Sequence, residues 1–294
     1  MRAIIFGVGG QDGYYLSQLL EKQGIEIIGV SRNVTETKWI RGDVKDRLFV
    51  EQLIHTYQPQ YIFHLAANST TAHHALFENH ETISTGTLNI LKAVYTGSKH
   101  SKVFLSGSAV QFENRGLPIN EQTPFAPLNA YAVSRIHSVY AGRYYRNLGI
   151  QVYVGYFFNH DSPLRTERHI NQKIAAVVKR ISKGSNEKIE IGNIDVKKEF
   201  NYAGDVVRAI WQIVNQDKIH EVIIGSGEAY SIFQWLEYCF EKIKKDWRDF
   251  TIIKKDYSPE YQILVSDPTI LKSMGWRPLI NFYQLADIML ADKL

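Results

Sequence analysis

Five short runs of apolar residues recur in the first 158 residues of the chain, and they constrain the fold more than any other feature. Each run is rich in β-branched or aromatic side chains and is apolar on both faces, which is typical of strands buried on both sides of a parallel sheet. Segments of helical length separate the runs, so the sequence predicts an α/β fold with right-handed crossovers. The predicted strands cover residues 2–8, 26–31, 61–67, 102–108 and 152–158.

The helical segments and the later part of the chain set the predicted domain organisation. Four helices are predicted between the strands, at residues 14–23, 47–56, 82–96 and 130–148. Three more follow a less regular stretch, at residues 169–184, 205–216 and 231–245. We therefore predict a sheet domain over residues 1–158. Residues 159–294 are expected to form mostly a small mixed α/β lobe, with some elements interleaved into the sheet.

A glycine-rich loop follows the first predicted strand and opens the first predicted helix. Its sequence, GVGGQDG, spaces Gly7, Gly10 and Gly13 as G-x-x-G-x-x-G, with Gln11 and Asp12 between the last two. In this context the glycines permit a tight turn, close approach of a pyrophosphate and close helix–strand packing, while the helix N-terminus attracts the anion. The loop predicts a dinucleotide-binding domain with a doubly wound parallel sheet of Rossmann type. The alternative is a plain glycine-rich turn.

The ends of the next strands indicate which dinucleotide is bound. An NAD enzyme usually has an acidic residue at the end of the second strand, where this chain has Ser31 and Arg32. An arginine there pairs with the 2′-phosphate of NADP, so NADP is expected and NAD remains possible; alternatively, Arg32 is only a solvated rim residue. Further cofactor contacts are predicted after a short additional strand that ends before Asp43, at Asp43 and Val44, and at the end of the strand at residues 61–67, at Leu65, Ala66 and Ala67.

Composition narrows the classes of function. The net charge of +4 comes from scattered lysines and arginines, so an anionic small ligand is expected rather than nucleic acid. The chain has one cysteine, which excludes an intramolecular disulfide and a cysteine-based zinc site. It has no apolar run of membrane-spanning length, and a strand begins directly after Met1. These features predict a cytoplasmic protein with no membrane contact and no metal site.

The segment YAVSRIHS places a cation, Arg135, four residues after Tyr131. With the segments GQDG, FHLAANS, FNHDSP, NYAGDVVRAIW and DPTILKSMGWRP, it makes nearly the whole chain similar to the extended short-chain dehydrogenases. Within this group, which includes the NAD-dependent epimerase/dehydratase family, the chain most resembles the GDP-mannose 4,6-dehydratase family.

This resemblance implies a nucleotide-sugar enzyme that oxidises the sugar C4 hydroxyl with NAD(P). Tyr131 would be the base, and Arg135 stands where the family has lysine. The family's threonine falls on Gly107, between Ser106 and Ser108, which are therefore included as candidate catalytic residues. The family's acid/base glutamate falls on Ala109. Oxidation, reduction or epimerisation at C4 is therefore favoured over dehydration.

The resemblance also implies a nucleoside diphosphate sugar as substrate, with a GDP-hexose favoured. Its predicted contacts, all taken from the resemblance, are Ser69, Asn159, Lys173, Lys198 and Glu260. Lys198 stands where the family has an arginine for the diphosphate. The predicted helices 82–96 and 130–148 match the pair that forms the dimer core in this superfamily, so a homodimer is expected.

Two alternatives remain open. One is a true GDP-mannose 4,6-dehydratase whose acid/base function has moved, with Glu113, Glu121, His73 and His74 as the candidates weighed. The other is a non-catalytic dinucleotide-binding homologue. The sequence does not identify the sugar, the base or the reaction direction.

Overall fold

The computed structural model describes residues 1–33, 37–68, 70–254 and 256–291. Among these residues, seven strands form one parallel sheet, in the order β11-β6-β5-β4-β1-β2-β3. This confirms the predicted α/β, Rossmann-like fold. The strands are β1 (Arg2–Phe6), β2 (Glu26–Ser31), β3 (Ile40–Arg41), β4 (Tyr61–His64), β5 (Lys102–Ser108), β6 (Gln151–Phe157) and β11 (Glu221–Ile224).

The sheet reverses its strand order beside β1. From β1 the chain proceeds to β2 and β3 on one side, whereas β4, β5, β6 and β11 extend the sheet on the other side. The loops after the carboxyl ends of β1 and β4 therefore diverge, which leaves a crevice where ligands bind in such sheets. The centres of β1, β4, β5, β6 and β11 are buried and mostly apolar, as expected for strands covered on both faces. The edge strand β3 is the exception, since Ile40 is half-buried and Arg41 is exposed.

Helices connect the strands and largely match the predicted segments. The helix predicted at residues 82–96 begins within a π-helical turn, His80–Thr85, and is regular only from Gly86. Gly86 begins the regular helix after this turn, and it has little room for a side chain because a Cβ there would lie 2.8 Å from Val44 Cγ1. Helices at Leu76–Asn79, Thr269–Ser273 and Phe282–Leu290 lie outside the predicted segments. The helices that connect the strands of the seven-stranded sheet are α1 (Gln11–Lys22), α2 (Arg47–Tyr57), α3 (Leu76–Asn79), α4 (Gly86–Gly97), α5 (Ala130–Asn147) and α7 (Ala203–Val214).

The chain divides into two compact units. The first comprises Met1–Glu113, Glu121–Phe157 and Val206–Ile224, and contains the seven-stranded sheet. The second comprises Asn114–Asn120, Phe158–Asp205 and Gly225–Leu294.

The second unit has its own apolar core around Trp235, which is stacked on Phe200 at a centroid distance of 5.0 Å. Short strands pair as β10-β7, β12-β9-β14 and β13-β8. Its helices are α6 (Ile170–Ser182), α8 (Ile232–Glu241), α9 (Thr269–Ser273) and α10 (Phe282–Leu290). Its strands are β7 (His160–Asp161), β8 (Ile189–Ile191), β9 (Lys197–Glu199), β10 (Asn201–Tyr202), β12 (Ala229–Ser231), β13 (Thr251–Ile253) and β14 (Ile263–Leu264).

Candidate active site

A cavity of about 210 Å³ lies in the first unit, at the point where the strand order reverses. Residues that follow β1, β2, β3 and β4 line it. Eight of the predicted cofactor residues are among them: Gly7, Gly10, Arg32, Asp43, Val44, Leu65, Ala66 and Ala67. The remaining three, Gln11, Asp12 and Gly13, form the first turn of α1.

The glycine loop fits a bound diphosphate because side chains are excluded from it. Gly7 has a φ of +93°, and a Cβ at this position would lie 2.6 Å from the Ala66 backbone nitrogen. At Gly13 a Cβ would lie 2.3 Å from the Gly7 carbonyl oxygen. Gly10 is the N-cap of α1 and has no side chain with which to cap the helix. The positive end of the helix is therefore open to an anionic ligand.

The catalytic pair predicted from the sequence is in direct contact. Arg135 Nε donates a hydrogen bond to Tyr131 Oη over 3.0 Å, and both residues lie on α5. Arg135 Nη1 donates to the Ser106 carbonyl oxygen at 2.5 Å and to Ser106 Oγ at 2.7 Å. The Ser106 hydroxyl in turn donates to the His64 carbonyl oxygen at 2.9 Å. Because His64 immediately precedes Leu65, this network connects the pair to the wall of the cavity.

Arg135 carries its charge in a buried position. The residue is 4% exposed, and its neighbour His64 is 1% exposed. Burial, together with the positive charge of Arg135, lowers the pKa of His64 to about 3. His64 is therefore neutral at ordinary pH, and Arg135 supplies the fixed positive charge beside the Tyr131 hydroxyl. The guanidinium is thus placed next to the oxygen on which negative charge would develop during proton transfer.

The position of the family threonine, Gly107, has no room for a side chain. A Cβ there would lie 2.7 Å from Tyr156 Cδ1 and 3.0 Å from Gln111 Oε1. The same Gln111 oxygen accepts a hydrogen bond from the Ser108 backbone nitrogen at 2.6 Å. Ala109, at the position of the family glutamate, is 2% exposed. Ser106 and Ser108 therefore provide hydroxyl groups at the end of β5, whereas Gly107 and Ala109 provide neither a hydroxyl nor a carboxylate.

Tyr156, which fills the space beside Gly107, is held by a charged cluster. Its hydroxyl donates to Glu221 Oε2 at 2.6 Å. Arg143, on α5, makes two hydrogen bonds to the same carboxylate, at 2.9 and 2.7 Å, and Arg146 makes a third. Burial alone raises the pKa of Glu221, but hydrogen bonds from Arg143, Tyr156 and Arg146 outweigh it and hold the pKa at about 2. This cluster joins α5 to β6 and β11.

In the second unit, Lys198 lies in a cationic cluster. It is 8% exposed, and its ammonium group lies 5.5 Å from the centre of the Phe200 ring. Burial lowers its pKa; Asp161 opposes that shift and Arg165 adds to it. Arg165 Nε lies 3.5 Å from Asp161 Oδ1. The pKa of His169 is lowered to about 4, first by burial and then by the positive charge of Arg165, while the negative charge of Asp161 acts to raise it. Among the described residues, the charged neighbours that shift the pKa of Lys198 are therefore one carboxylate, Asp161, and one guanidinium, Arg165.

The other predicted substrate residues lie elsewhere in the second unit or outside the described residues. The Asn159 side chain is hydrogen-bonded to Tyr261, whose pKa is raised to about 12 by burial and by neighbouring Glu260. Lys173 Nζ donates to the Glu190 carbonyl oxygen at 2.9 Å, on β8. Ser69 lies outside the described residues.

The structure adds residues that the sequence analysis did not include. Arg165 and His169 accompany Lys198, and Gln111 accompanies Ser108. For Arg165, the sequence offered one signal: it stands four residues after Asp161, a spacing at which an ion pair can form. No sequence signal pointed to Gln111. It is fully buried, and among the described residues its Nε2 has no hydrogen-bond partner.

Two negative findings apply to the described ranges. No group of three or more His, Cys, Asp or Glu side chains there is placed to hold a metal ion. In the same ranges, no helix has the length and apolar character needed to cross a membrane.

Three features together are typical of an extended short-chain dehydrogenase. They are the parallel sheet, the glycine loop at the point where the strand order reverses, and the Tyr131–Arg135 pair. Comparison with known proteins narrows this class. The family model described as GDP-mannose 4,6 dehydratase matches residues 4–289. The chain therefore belongs to the GDP-mannose 4,6 dehydratase family.

Individual relatives agree with this assignment. The chain is 29% identical to GDP-mannose 4,6 dehydratase 1 of Arabidopsis thaliana, over 99% of this chain and 89% of the relative. Two solved structures share the fold. The UDP-glucose 4-epimerase of Thermus thermophilus, in complex with NAD, has a TM-score of 0.84 at 20% identity, covering 99% of this chain and 98% of that chain. The protein RMD of Pseudomonas aeruginosa, complexed with NADPH, has a TM-score of 0.85 at 22% identity, covering 98% and 97%.

Proposed function

We propose that this protein oxidises or reduces a nucleotide sugar at C4 with a nicotinamide dinucleotide. The observation that carries the proposal is the 3.0 Å hydrogen bond from Arg135 Nε to Tyr131 Oη, in the unit that also contains the dinucleotide-type cavity. When bound, the dinucleotide supplies the hydride acceptor or donor. Tyr131 removes or returns the proton of the sugar hydroxyl, and Arg135 stabilises the negative charge on the phenolic oxygen.

Dehydration is less well supported than oxidation or reduction. Gly107 and Ala109 provide neither a hydroxyl nor a carboxylate, and Gly107 has no space for a side chain. The Glu121 carboxylate, one candidate for a relocated acid/base, accepts a hydrogen bond from the Ile223 backbone nitrogen at 2.8 Å. A carboxylate engaged in this way stabilises the fold and is a poor general base. The second candidate function, a 4,6-dehydratase, thus requires an acid/base from another residue.

The substrate proposed is a nucleoside diphosphate sugar, with a GDP-hexose favoured by the names of the relatives. Lys198 and Arg165 would bind the diphosphate, because both basic side chains lie close to the buried Asp161 carboxylate and a bound anion would oppose the burial that lowers the pKa of Lys198. Asn159, with Tyr261 and Glu260 beside it, would contact the sugar or the nucleoside. Ser69 and Lys173 remain proposed substrate residues on the resemblance alone.

NADP is proposed as the preferred dinucleotide. Arg32 lines the cavity at the end of β2, and its side chain is 52% exposed, so the guanidinium is accessible to a 2′-phosphate. Arginine suits phosphate because its planar fork can donate two hydrogen bonds. The two solved structures compared above carry NAD in one case and NADPH in the other.

A cytoplasmic homodimer is the proposed assembly. Val133, Tyr140 and Tyr144 are more than half exposed and recur on one face of α5, and Leu88 on α4 is also exposed. An apolar and aromatic stripe of this kind is typical of an interface between proteins. The homodimer would cover it with a second copy of the same two helices, as the superfamily resemblance implies.

The test of function is turnover with a panel of nucleotide sugars, followed by nicotinamide absorbance in both directions and by mass spectrometry of the sugar. Formation or loss of reduced cofactor with a 4-keto product, or its 4-hydroxy partner, supports the proposal. Release of water with no net cofactor change supports the dehydratase. No turnover with any sugar, despite dinucleotide found in the denatured protein, supports the non-catalytic homologue.

A further inference from the structure

Glu78, on α3, is bonded to the arginine proposed to read the 2′-phosphate. Its Oε1 lies 3.4 Å from Arg32 Nη1, and its Oε2 accepts a hydrogen bond from Asn68 Nδ2 at 2.8 Å. Asn68 follows Ala67, which lines the cavity. Glu78 is thus held between the end of β2 and the loop after β4, with one carboxylate oxygen on each side.

A second ion pair, Lys45–Glu81, has similar exposure, but neither of its residues lines the cavity. Glu81, three residues further along, accepts a hydrogen bond from Lys45 Nζ at 3.0 Å. The exposures match: 52% for Arg32 and 47% for Glu78, against 48% and 52% for Lys45 and Glu81. Arg32 lines the cavity, whereas Lys45 does not. Asp43, which does line it, accepts from the Lys45 backbone nitrogen.

We propose that Glu78 is a specificity-determining residue that weakens selection for the 2′-phosphate by occupying Arg32. This inference rests on the proposed NADP function. A dianionic phosphate beside Arg32 must either displace the Glu78 carboxylate or remain near it, and both cost binding free energy because like charges repel. NAD carries a neutral 2′-hydroxyl and avoids this repulsion. The chain lacks an acid at the end of β2, and Glu78 supplies a negative charge beside that position from α3.

The geometry favours competition over support. Strong arginine–carboxylate pairs are frequently joined by two parallel hydrogen bonds. Here a single contact of 3.4 Å joins the two side chains, and the other Glu78 oxygen is bonded to Asn68. Such a long, exposed pair is weak enough for the phosphate to replace it. The Asn68 bond keeps the carboxylate near the site when that happens.

The experiment is calorimetric titration of NADP and NAD into wild type, Glu78→Gln, Glu81→Gln and Arg32→Gln. We expect Glu78→Gln to tighten NADP binding by about threefold or more, the scale of one exposed ion pair plus relief of repulsion. NAD affinity should stay nearly unchanged. Glu81→Gln removes the same charge from a matched pair, and it should raise the NADP-to-NAD affinity ratio less. The Glu78 effect should shrink as salt is raised.

The outcomes separate this inference from the proposed function. If Arg32→Gln weakens NADP selectively but Glu78→Gln leaves the affinity ratio unchanged or weakens NADP, the Glu78 inference is overturned and the NADP proposal stands. If Glu81→Gln matches Glu78→Gln, the effect is general electrostatics and the inference is again overturned. If Arg32→Gln weakens both dinucleotides equally, Arg32 does not read the phosphate and both proposals fail.

Discussion

The guanidinium of Arg135 connects the Tyr131 hydroxyl to the backbone of β5 through two of its nitrogens, Nε and Nη1. A lysine at this position would have one nitrogen for the same task. The arginine therefore fixes the tyrosine relative to the sheet as well as supplying charge, and the two roles can be separated by mutation.

Tyr131→Phe should lower the rate of hydride transfer by about two to four orders of magnitude, because the proton of the sugar hydroxyl loses its acceptor. Dinucleotide affinity should be nearly unchanged. Tyr140→Phe is the matched control, since it removes an exposed hydroxyl from the same helix. The measurement is single-turnover kinetics with the best nucleotide sugar found. Equal activity of Tyr131→Phe and wild type would show that Tyr131 is not the base.

Arg135→Met should lower both activity and stability. It leaves the Ser106 carbonyl and hydroxyl without their buried donor, which costs about 1–3 kcal/mol. Arg135→Lys keeps the charge and should retain or raise activity. Urea unfolding measures the stability loss, and the ratio of turnover between the two variants measures the charge effect. If Lys and Met variants were equally inactive while equally folded, fork geometry and not charge would be the requirement.

Gly107→Thr should destabilise the protein by about 1–3 kcal/mol through overpacking. Its Cβ meets Tyr156 Cδ1 at 2.7 Å and Gln111 Oε1 at 3.0 Å. Tyr156→Val also destabilises, because Glu221 loses a donor. The two variants combined should be less destabilised than the sum of the single changes. A double-mutant cycle by chemical denaturation measures this coupling, and strict additivity would contradict the predicted contact.

Stability should fall in acid partly through Glu221. Its pKa is about 2 in the folded protein, below the ordinary glutamate value, so its contribution is fully present above the unfolded pKa. That contribution is lost as pH falls from about 4.5 towards 2. Glu221→Gln imitates the protonated state. The melting temperatures of wild type and variant should differ most above this window and converge within it; a constant gap would exclude the linkage.

The stripe on α5 gives a prediction about assembly. Light scattering should show a dimer for wild type, and Tyr144→Asp should shift it towards monomer because a charge is placed in an apolar interface. Leu48→Asp is the control, since Leu48 is an exposed apolar residue on α2. A tetramer, or a monomer that Tyr144→Asp does not change, would contradict the proposed homodimer.

The sequence predicted the sheet and the glycine loop well because both depend on local rules. Buried parallel strands require apolar runs, and Gly7 and Gly13 stand where any side chain would meet backbone. By contrast, periodicity did not predict the π-helical turn, and the Gly86 that follows it packs close to Val44, a residue distant in sequence. The pairing of Arg32 with Glu78 likewise joins residues distant in sequence. Both contacts are set by tertiary packing, which periodicity and motif spacing do not encode.

The ring of Tyr156 beside Gly107 also limits the order of substitutions by which a threonine could be introduced there. Introducing the hydroxyl first creates a clash, and removing the ring first breaks the hydrogen bond to Glu221. Each single substitution is therefore expected to give a less stable protein, so the effects of the two positions are coupled. A directed-evolution search for dehydratase activity in this scaffold should therefore begin from libraries that vary both codons together.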